Sequence, residues 1–319
     1  MDASTASPAA SPHLRWQAEA LWQQLEPHLP GLSIEVLARA ESTNTTLLHR
    51  ARQGAGRRAA AAAVPDALQP VYAPADGAQP PSGPFGRRAG DTQPTLLVAE
   101  HQTLGRGRLG HAWQAVPGAS LTFSLGLPMA PRDWSGLSLA VGVTLADALE
   151  PPQPGRASRL LLKWPNDLWL ADGPGRGRKL GGVLIETVAI GNQRRVVVGI
   201  GLNITPLAAP AGQAFATGFA CLQELDPAAS PPAALHRIAL PLIKSLYQFE
   251  REGFAGFATA YAQRDLLQGV LVTAQQAAAG AARVQGRVEG VSRSGALLLR
   301  DGAVLRELSS GEVSIRLAG

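Results

Sequence analysis

The sequence predicts an α+β chain, in which a large domain of interleaved helices and strands precedes a small β-barrel beginning near Gly269. Three observations carry that expectation. The chain has 319 residues, 45% of them hydrophobic, which exceeds one small module and supplies a sizeable core. Through residue 268 the apolar spacing switches between helical and strand-like periods. Beyond Gly269 only short β-type runs recur, at regular spacing.

Taken in order, residues 1–13 are rich in Ala, Ser and Pro and read as a disordered tail. They lack the basic and apolar regions of a secretory signal. Leu14, Ala18, Leu21 and Leu25 fall at helical spacing up to Leu29, and Pro27 and Pro30-Gly31 close the element. Leu32 to Ala38 is β-like, and Glu41-Ser42-Thr43-Asn44 opens a second helix over Thr45–Gln53, with Ser42 or Thr43 able to act simply as its N-cap. Residues 52–93 begin as an Ala-rich helix end and continue through scattered Pro and Gly as a mobile surface insertion. Strands are expected at Thr95–Glu100, Ser120–Leu127, Leu160–Trp164, Gly181–Val188 and Val196–Ile204. A largely apolar helix covers Gly136–Leu149, and the longest amphipathic stretch is Pro232–Phe257. The expected organisation is thus a tail at 1–13, a main domain at 14–268 and a β-barrel at 269–319.

Composition narrows the function classes. Cys221 is the one cysteine, which excludes a disulfide framework and a Cys-based zinc cluster. The longest apolar runs fall short of a membrane span, so a cytoplasmic protein is expected. The net charge of +5 favours anionic ligands. Its arginines are dispersed, and the C-terminal segment has no basic stripe interleaved with aromatics, which argues against a nucleic-acid-binding protein. Lys163, Lys179 and Lys244 are the only lysines in an arginine-rich chain, so each invites a question.

Several motifs carry possible chemistry. Gly105-Arg106-Gly107-Arg108-Leu109-Gly110 formally matches a dinucleotide-binding fingerprint, but it leads through Pro117-Gly118 into a strand, not into a helix. Its alternation instead offers a mobile backbone with two forked cation donors, a loop that can be disordered when empty and close over an anion. Lys163-Trp164-Pro165-Asn166-Asp167 ends a strand at a proline, and an Asn-Asp turn would explain it equally well. Arg178-Lys179-Leu180-Gly181-Gly182, continuing to Glu186, sends a lysine into a glycine-led strand without Walker A spacing. The two glycines of Gly199-Ile200-Gly201-Leu202-Asn203 permit close approach to the strand, by a ligand or by a neighbouring strand.

In this order, and together with Ala99-Glu100-His101-Gln102, these motifs resemble the biotin protein ligases. Gly295-Ala296-Leu297-Leu298-Leu299 and Gly311-Glu312-Val313-Ser314 resemble that family's SH3-like C-terminal domain, so the resemblance spans Leu14 to Leu317. It implies a mixed-sheet catalytic domain and an ATP-dependent reaction in which biotin becomes biotinyl-5′-adenylate and passes to a lysine of a biotin carboxyl carrier domain. It also implies ATP with Mg2+ as co-substrate, no tightly bound prosthetic group, no membrane partner, and no specific DNA, because the residues ahead of Glu41 leave little room for a winged helix-turn-helix. By resemblance, Ser42, Thr43, Asn44 and Gln102 meet the ureido head of biotin, and Arg106, Gly107 and Arg108 form the closing loop. Lys179 sits at the reacting carboxyl and α-phosphate, and Asn166, Asp167 and Asn203 hold the nucleotide, with the metal ligands left open. Lys179, Arg106 and Arg108 are the expected catalytic groups. Trp113 and Trp164 line the pocket or pack in the core. A lipoate-type ligase on the same core is the alternative within this chemistry.

Overall fold

The computed structural model describes residues 14–62, 93–207, 217–276, 283–310 and 313–317. The expected tail at 1–13, residues 63–92 of the insertion, and Gly311-Glu312 lie outside these described residues.

Eight strand and helix elements build the first half: α1 (Ala18–Leu25), β1 (Ser33–Ala40), α2 (Thr43–Ala62), β2 (Thr95–Gln102), β3 (Ser120–Pro128), α3 (Leu137–Leu149), β4 (Leu160–Lys163) and β5 (Asp167–Gly173). They continue with β6 (Arg176–Ile190), β7 (Gln193–Asn203), α4 (Pro231–Glu252) and α5 (Ala258–Ala262). The seven strands form one sheet in the order β1-β2-β3-β7-β6-β5-β4. Only β1 and β2 pair in parallel within it, so the sheet is mixed.

The two faces of this sheet differ in chemistry. Side chains alternate along a strand. Leu121, Phe123 and Leu125 of β3 therefore face the main core, with α1, α3 and α4. Thr122, Ser124 and Gly126 face the other way, where α2 crosses β2, β3, β6 and β7. There the apolar cluster is small, comprising Leu47, Leu48, Leu97 and Val197 with Leu37 and Val188 against it. A polar layer is tolerable on that face only if its groups bond to one another.

Several boundaries moved. The first helix is confined to Ala18–Leu25, because the segment before it is tied to β2: Leu14 N and Trp16 Nε1 donate to Glu100 at 3.2 and 2.9 Å. Pro27 then sits in a 3-10 turn over Glu26–His28. The second helix extends to Ala62, so the first part of the expected insertion is helical. β5 was not expected. It pairs with residues 176–182, which lengthens β6 and puts Lys179 inside that strand. The amphipathic stretch after Ser230 is α4, capped by the Ser230 hydroxyl, and its end unwinds at Gly253 into a 3-10 turn over Gly253–Phe257.

The C-terminal strands β8 (Leu271–Gln276), β9 (Arg283–Val291), β10 (Leu297–Asp301), β11 (Val304–Leu308) and β12 (Val313–Leu317) form an antiparallel sheet in the order β11-β10-β9-β8-β12. It docks where Trp164 Nε1 donates to Gly295 O at 3.1 Å. Trp164 is 1% exposed, so this indole is core.

Candidate active site

A chain of hydrogen bonds runs across the α2 face of the large sheet. Ser42 caps α2, its hydroxyl facing Thr45 N at 3.5 Å, which is the plain structural role its position suggests. Thr43 N donates to Gln102 Oε1 at 2.7 Å, and Thr43 Oγ1 lies 3.1 Å from the same oxygen. A main-chain N–H only donates, so Gln102 turns its oxygen inward and its amide nitrogen outward. Ser124 Oγ stands 2.6 Å from both Thr43 Oγ1 and Asn44 Oδ1. Asn44 Nδ2 donates to Leu184 O at 3.2 Å and to Glu186 Oε2 at 2.9 Å. Asn44 is buried with both ends of its amide occupied, which makes it a support beneath the site rather than a free ligand contact.

Two glycines of β7 form the floor. A Cβ at Gly199 would stand 2.1 Å from Asn44 Oδ1, and one at Gly201 would stand 2.5 Å from the Trp113 ring. Trp113 therefore lies on the strand because Gly201 has no side chain, whereas Trp164 takes no part in this surface. The indole nitrogen of Trp113 is buried with no hydrogen-bond partner.

The Gly-Arg loop has a defined turn, contrary to the disorder its glycines suggest. Gly107 N donates to His111 O at 2.7 Å and Trp113 N to Gly105 O at 2.8 Å, so the loop forms its own short hairpin. Leu109, at φ 54°, takes a left-handed conformation within it. Arg106 Nη2 reaches both oxygens of Glu186 at 3.3 Å. Arg108 donates to Asn166 Oδ1 at 3.4 Å and to the carbonyl of Ser310 in the C-terminal segment. Burial lowers its pKa, against the opposing pull of Asp167.

On the far side of the floor Lys179 Nζ donates to Asp167 Oδ1 at 2.7 Å and lies 6.0 Å from the Trp113 ring centroid. Asn166 is fixed to β6 by a pair of bonds with Val183, and Asp167 follows it as the first residue of β5. Asn203, at the end of β7, donates to Ala220 O at 3.0 Å and to Lys179 O at 3.4 Å, tying the strand that carries the lysine to the segment after Thr217. Lys163 stands over the Trp169 ring at 4.4 Å; burial lowers its pKa, Asp167 opposes that, and Lys179 adds to it. Two of the three lysines thus act on one carboxylate.

The structure therefore gathers Ser42, Thr43, Asn44, Gln102, Arg106, Gly107, Arg108, Asn166, Asp167, Lys179 and Asn203 on one side of one sheet. Sequence reasoning missed Ser124, Glu186 and Lys163. Ser124 was legible as the polar member of the Thr122-Ser124-Gly126 alternation in an otherwise apolar strand. Glu186 and Lys163 stood inside quoted motifs without a partner to give them meaning. Among the described residues no group of three or more His, Cys, Asp or Glu is placed to hold a metal.

Comparison with known proteins identifies the family. Residues 88–203 match the Biotin/lipoate A/B protein ligase family, and residues 273–316 match the Biotin protein ligase C terminal domain. The chain is 31% identical over 234 residues to the bifunctional ligase/repressor BirA of Salmonella typhimurium, covering 72% of this chain and 68% of that one. It is 30% identical over 224 residues to BirA of Escherichia coli, covering 66% of that protein. With the biotin–[acetyl-CoA-carboxylase] ligase of Paracoccus denitrificans it shares 32% identity over 224 residues, 68% of this chain and 88% of the relative. The chain belongs to the biotin protein ligase family. Its fold agrees: the biotin protein ligase from Aquifex aeolicus, solved in complex with biotin and ATP, superposes with a TM-score of 0.62 at 24% identity, over 89% of this chain and 99% of that one. No helix among the described residues is long and apolar enough to cross a membrane.

Proposed function

We propose that this ligase-family chain activates biotin with ATP and passes the biotinyl group to a lysine of a biotin carboxyl carrier domain. The observation that carries this reading is the juxtaposition on one face of a buried hydroxyl–amide chain, a glycine floor and the Lys179–Asp167 pair. A ureido group presents one acceptor and two donors, and burying it requires matched partners. Ser42, Thr43 and Gln102 supply them, with Asn44 holding the Ser124 hydroxyl that stands against Thr43.

A carboxylate is a poor electrophile, so it must first be activated. A biotin carboxylate oxygen attacks the α-phosphorus of ATP, the bond to the pyrophosphate oxygen breaks, and the mixed anhydride biotinyl-5′-adenylate forms. Lys179 is the cation positioned to balance charge at that centre, with Arg106 and Arg108 closing from the loop. The neutral amine of a carrier lysine then attacks the acyl carbon. An amide forms, the amine loses a proton, and AMP departs. The protein contributes position and charge, not a covalent intermediate. Asn166 and Asn203 are proposed to face the nucleotide. Mg2+ would come with the phosphates of ATP, which supply its ligands together with one or two protein carboxylates, and Asp167, beside Lys179, is the carboxylate that would hold it. Bound there, the ion would neutralise phosphate charge.

We divide the chain into a catalytic unit over 14–268 and a C-terminal unit over 269–319. Because α1 and β1 are built into the catalytic unit, they are not available as a DNA-recognition unit, and operator binding forms no part of the proposal. The deciding experiment is ATP-dependent transfer of labelled biotin to a purified carrier domain, with labelled lipoate in parallel. Transfer of lipoate in place of biotin would support the alternative, and transfer of neither would refute both.

A further inference from the structure

Glu186 lies between the two halves of the site. Its carboxylate accepts from Asn44 Nδ2 at 2.9 Å on one side and meets Arg106 Nη2 at 3.3 Å on the other. The first contact determines proton order. Leu184 O and the Glu186 carboxylate can only accept, so the Asn44 amide nitrogen must face them and Oδ1 must face Ser124. Oδ1 also only accepts, which commits the single Ser124 proton to it. Thr43 Oγ1 lies 2.6 Å on the other side of the Ser124 hydroxyl and donates its own proton to Gln102 Oε1 at 3.1 Å, the oxygen that Thr43 N also serves. With the Asn44 amide turned over, its nitrogen would face Ser124 and the Ser124 proton would have to leave it. A charged acceptor bonds about twice as strongly as a neutral one, so Glu186 dominates that choice over Leu184 O.

The second contact couples this order to the loop. Arg106 is half-exposed and meets Glu186 at 3.3 Å, so the pair orients the loop arginine without burying its charge, and its worth is that of an exposed ion pair. We propose that Glu186 is a positioning residue for biotin. From one side it fixes the Asn44 amide and, through it, the Ser124 hydroxyl that stands against Thr43, and from the other it holds Arg106 in register with them. This inference rests on the biotin reading above for its ligand, but not for its contacts.

The test uses the full chain with Glu186→Gln and Glu186→Ala. Glutamine keeps an oxygen for Asn44 and loses the charge for Arg106, whereas alanine loses both. The KM for biotin should rise about threefold in the first and about tenfold in the second, from one exposed ion pair and then one charged hydrogen bond. The kcat at saturating biotin and the KM for ATP should stay within about twofold, which a general structural lesion would not allow. An unchanged biotin KM in Glu186→Ala, or equal losses in kcat and both KM values, overturns the proposal. A second measurement needs no ligand. Tryptic cleavage after Arg106 should be about two- to fivefold faster in ligand-free Glu186→Gln than in the unaltered chain, referenced to exposed Arg52 on α2. Equal cleavage rates overturn the Arg106 half of the proposal. If the unaltered chain transfers no biotin, the biotin reading fails separately, and the cleavage comparison still decides the contact.

Discussion

Gly199→Ala is the most informative single substitution at the floor of the site. Gly199 is absent from the positions with left-handed backbone, so alanine meets no torsional penalty and its effect is steric. The new methyl would stand 2.1 Å from Asn44 Oδ1, 2.8 Å from its Cγ and 3.0 Å from its Nδ2. The amide must retreat by roughly an ångström to reach an ordinary contact. It is held by Ser124 at 2.6 Å, Glu186 at 2.9 Å and Leu184 O at 3.2 Å, so that retreat breaks or stretches all three bonds. At about 1 kcal/mol for each neutral bond and about twice that for the charged one, the cost is about 4 kcal/mol. Restricting the unfolded chain returns up to about 1 kcal/mol, leaving roughly 3 kcal/mol. Urea unfolding followed by tryptophan fluorescence measures this, and the same change made in an Asn44→Ala background isolates its cause. Without the amide the methyl has room, and the second substitution should cost less than about 1 kcal/mol. The reasoning is refuted if Gly199→Ala costs the same in both backgrounds, or costs nothing in the first.

Three further outcomes are expected. Lys179→Ala should slow adenylate formation about 10²- to 10³-fold while weakening biotin binding far less, read from single-turnover pyrophosphate release and from calorimetry with biotin. Biotin with ATP should protect Arg106 and Arg108 from trypsin; because the empty loop already forms a hairpin, cleavage without ligand should be slower than at an unstructured arginine, and fragment mapping by mass spectrometry gives both rates. Burial pushes the Asp265 carboxyl up to about 6, with Oδ2 left unpartnered and Oδ1 accepting from Leu267 N. A raised folded-state pKa gives stability that is complete below the unfolded value and is lost as pH rises through about 6. The loss by about pH 8 is on the order of 3 kcal/mol, so Asp265→Asn should flatten the stability curve between about pH 4 and 8 and be the more stable protein at the upper end.

The candidate site was legible in the sequence where it consists of unusual residue types in short runs. Arg106 and Arg108 between glycines, Asn166-Asp167 after a proline, and Lys179 in an arginine-rich chain each stand out locally. Together with the order of motifs, they named the candidate residues that the sheet gathers. The fold was legible wherever an element carries one apolar face, as β1, β3 and α4 do, and at α3 through its nearly continuous apolar run. β5 was missed although it forms a local hairpin with the first half of β6, because Asn166-Asp167 was read as a turn where Asp167 in fact opens the strand. The loop's hairpin was missed because main-chain bonds, not side-chain types, offset the freedom of its glycines.

By itself, then, the sequence determined the elements with a clear period, the candidate residues within each motif, and the family. Tertiary structure alone decided that Thr122, Ser124 and Gly126 face α2, that Asn44 is a buried support, that Trp113 covers Gly201 while Trp164 anchors the C-terminal sheet, and that Glu186 stands between Asn44 and Arg106. The reason is physical. A side chain's type is fixed along the chain, but whether its donors are already taken depends on partners distant in sequence, and only the folded sheet brings those within bonding distance.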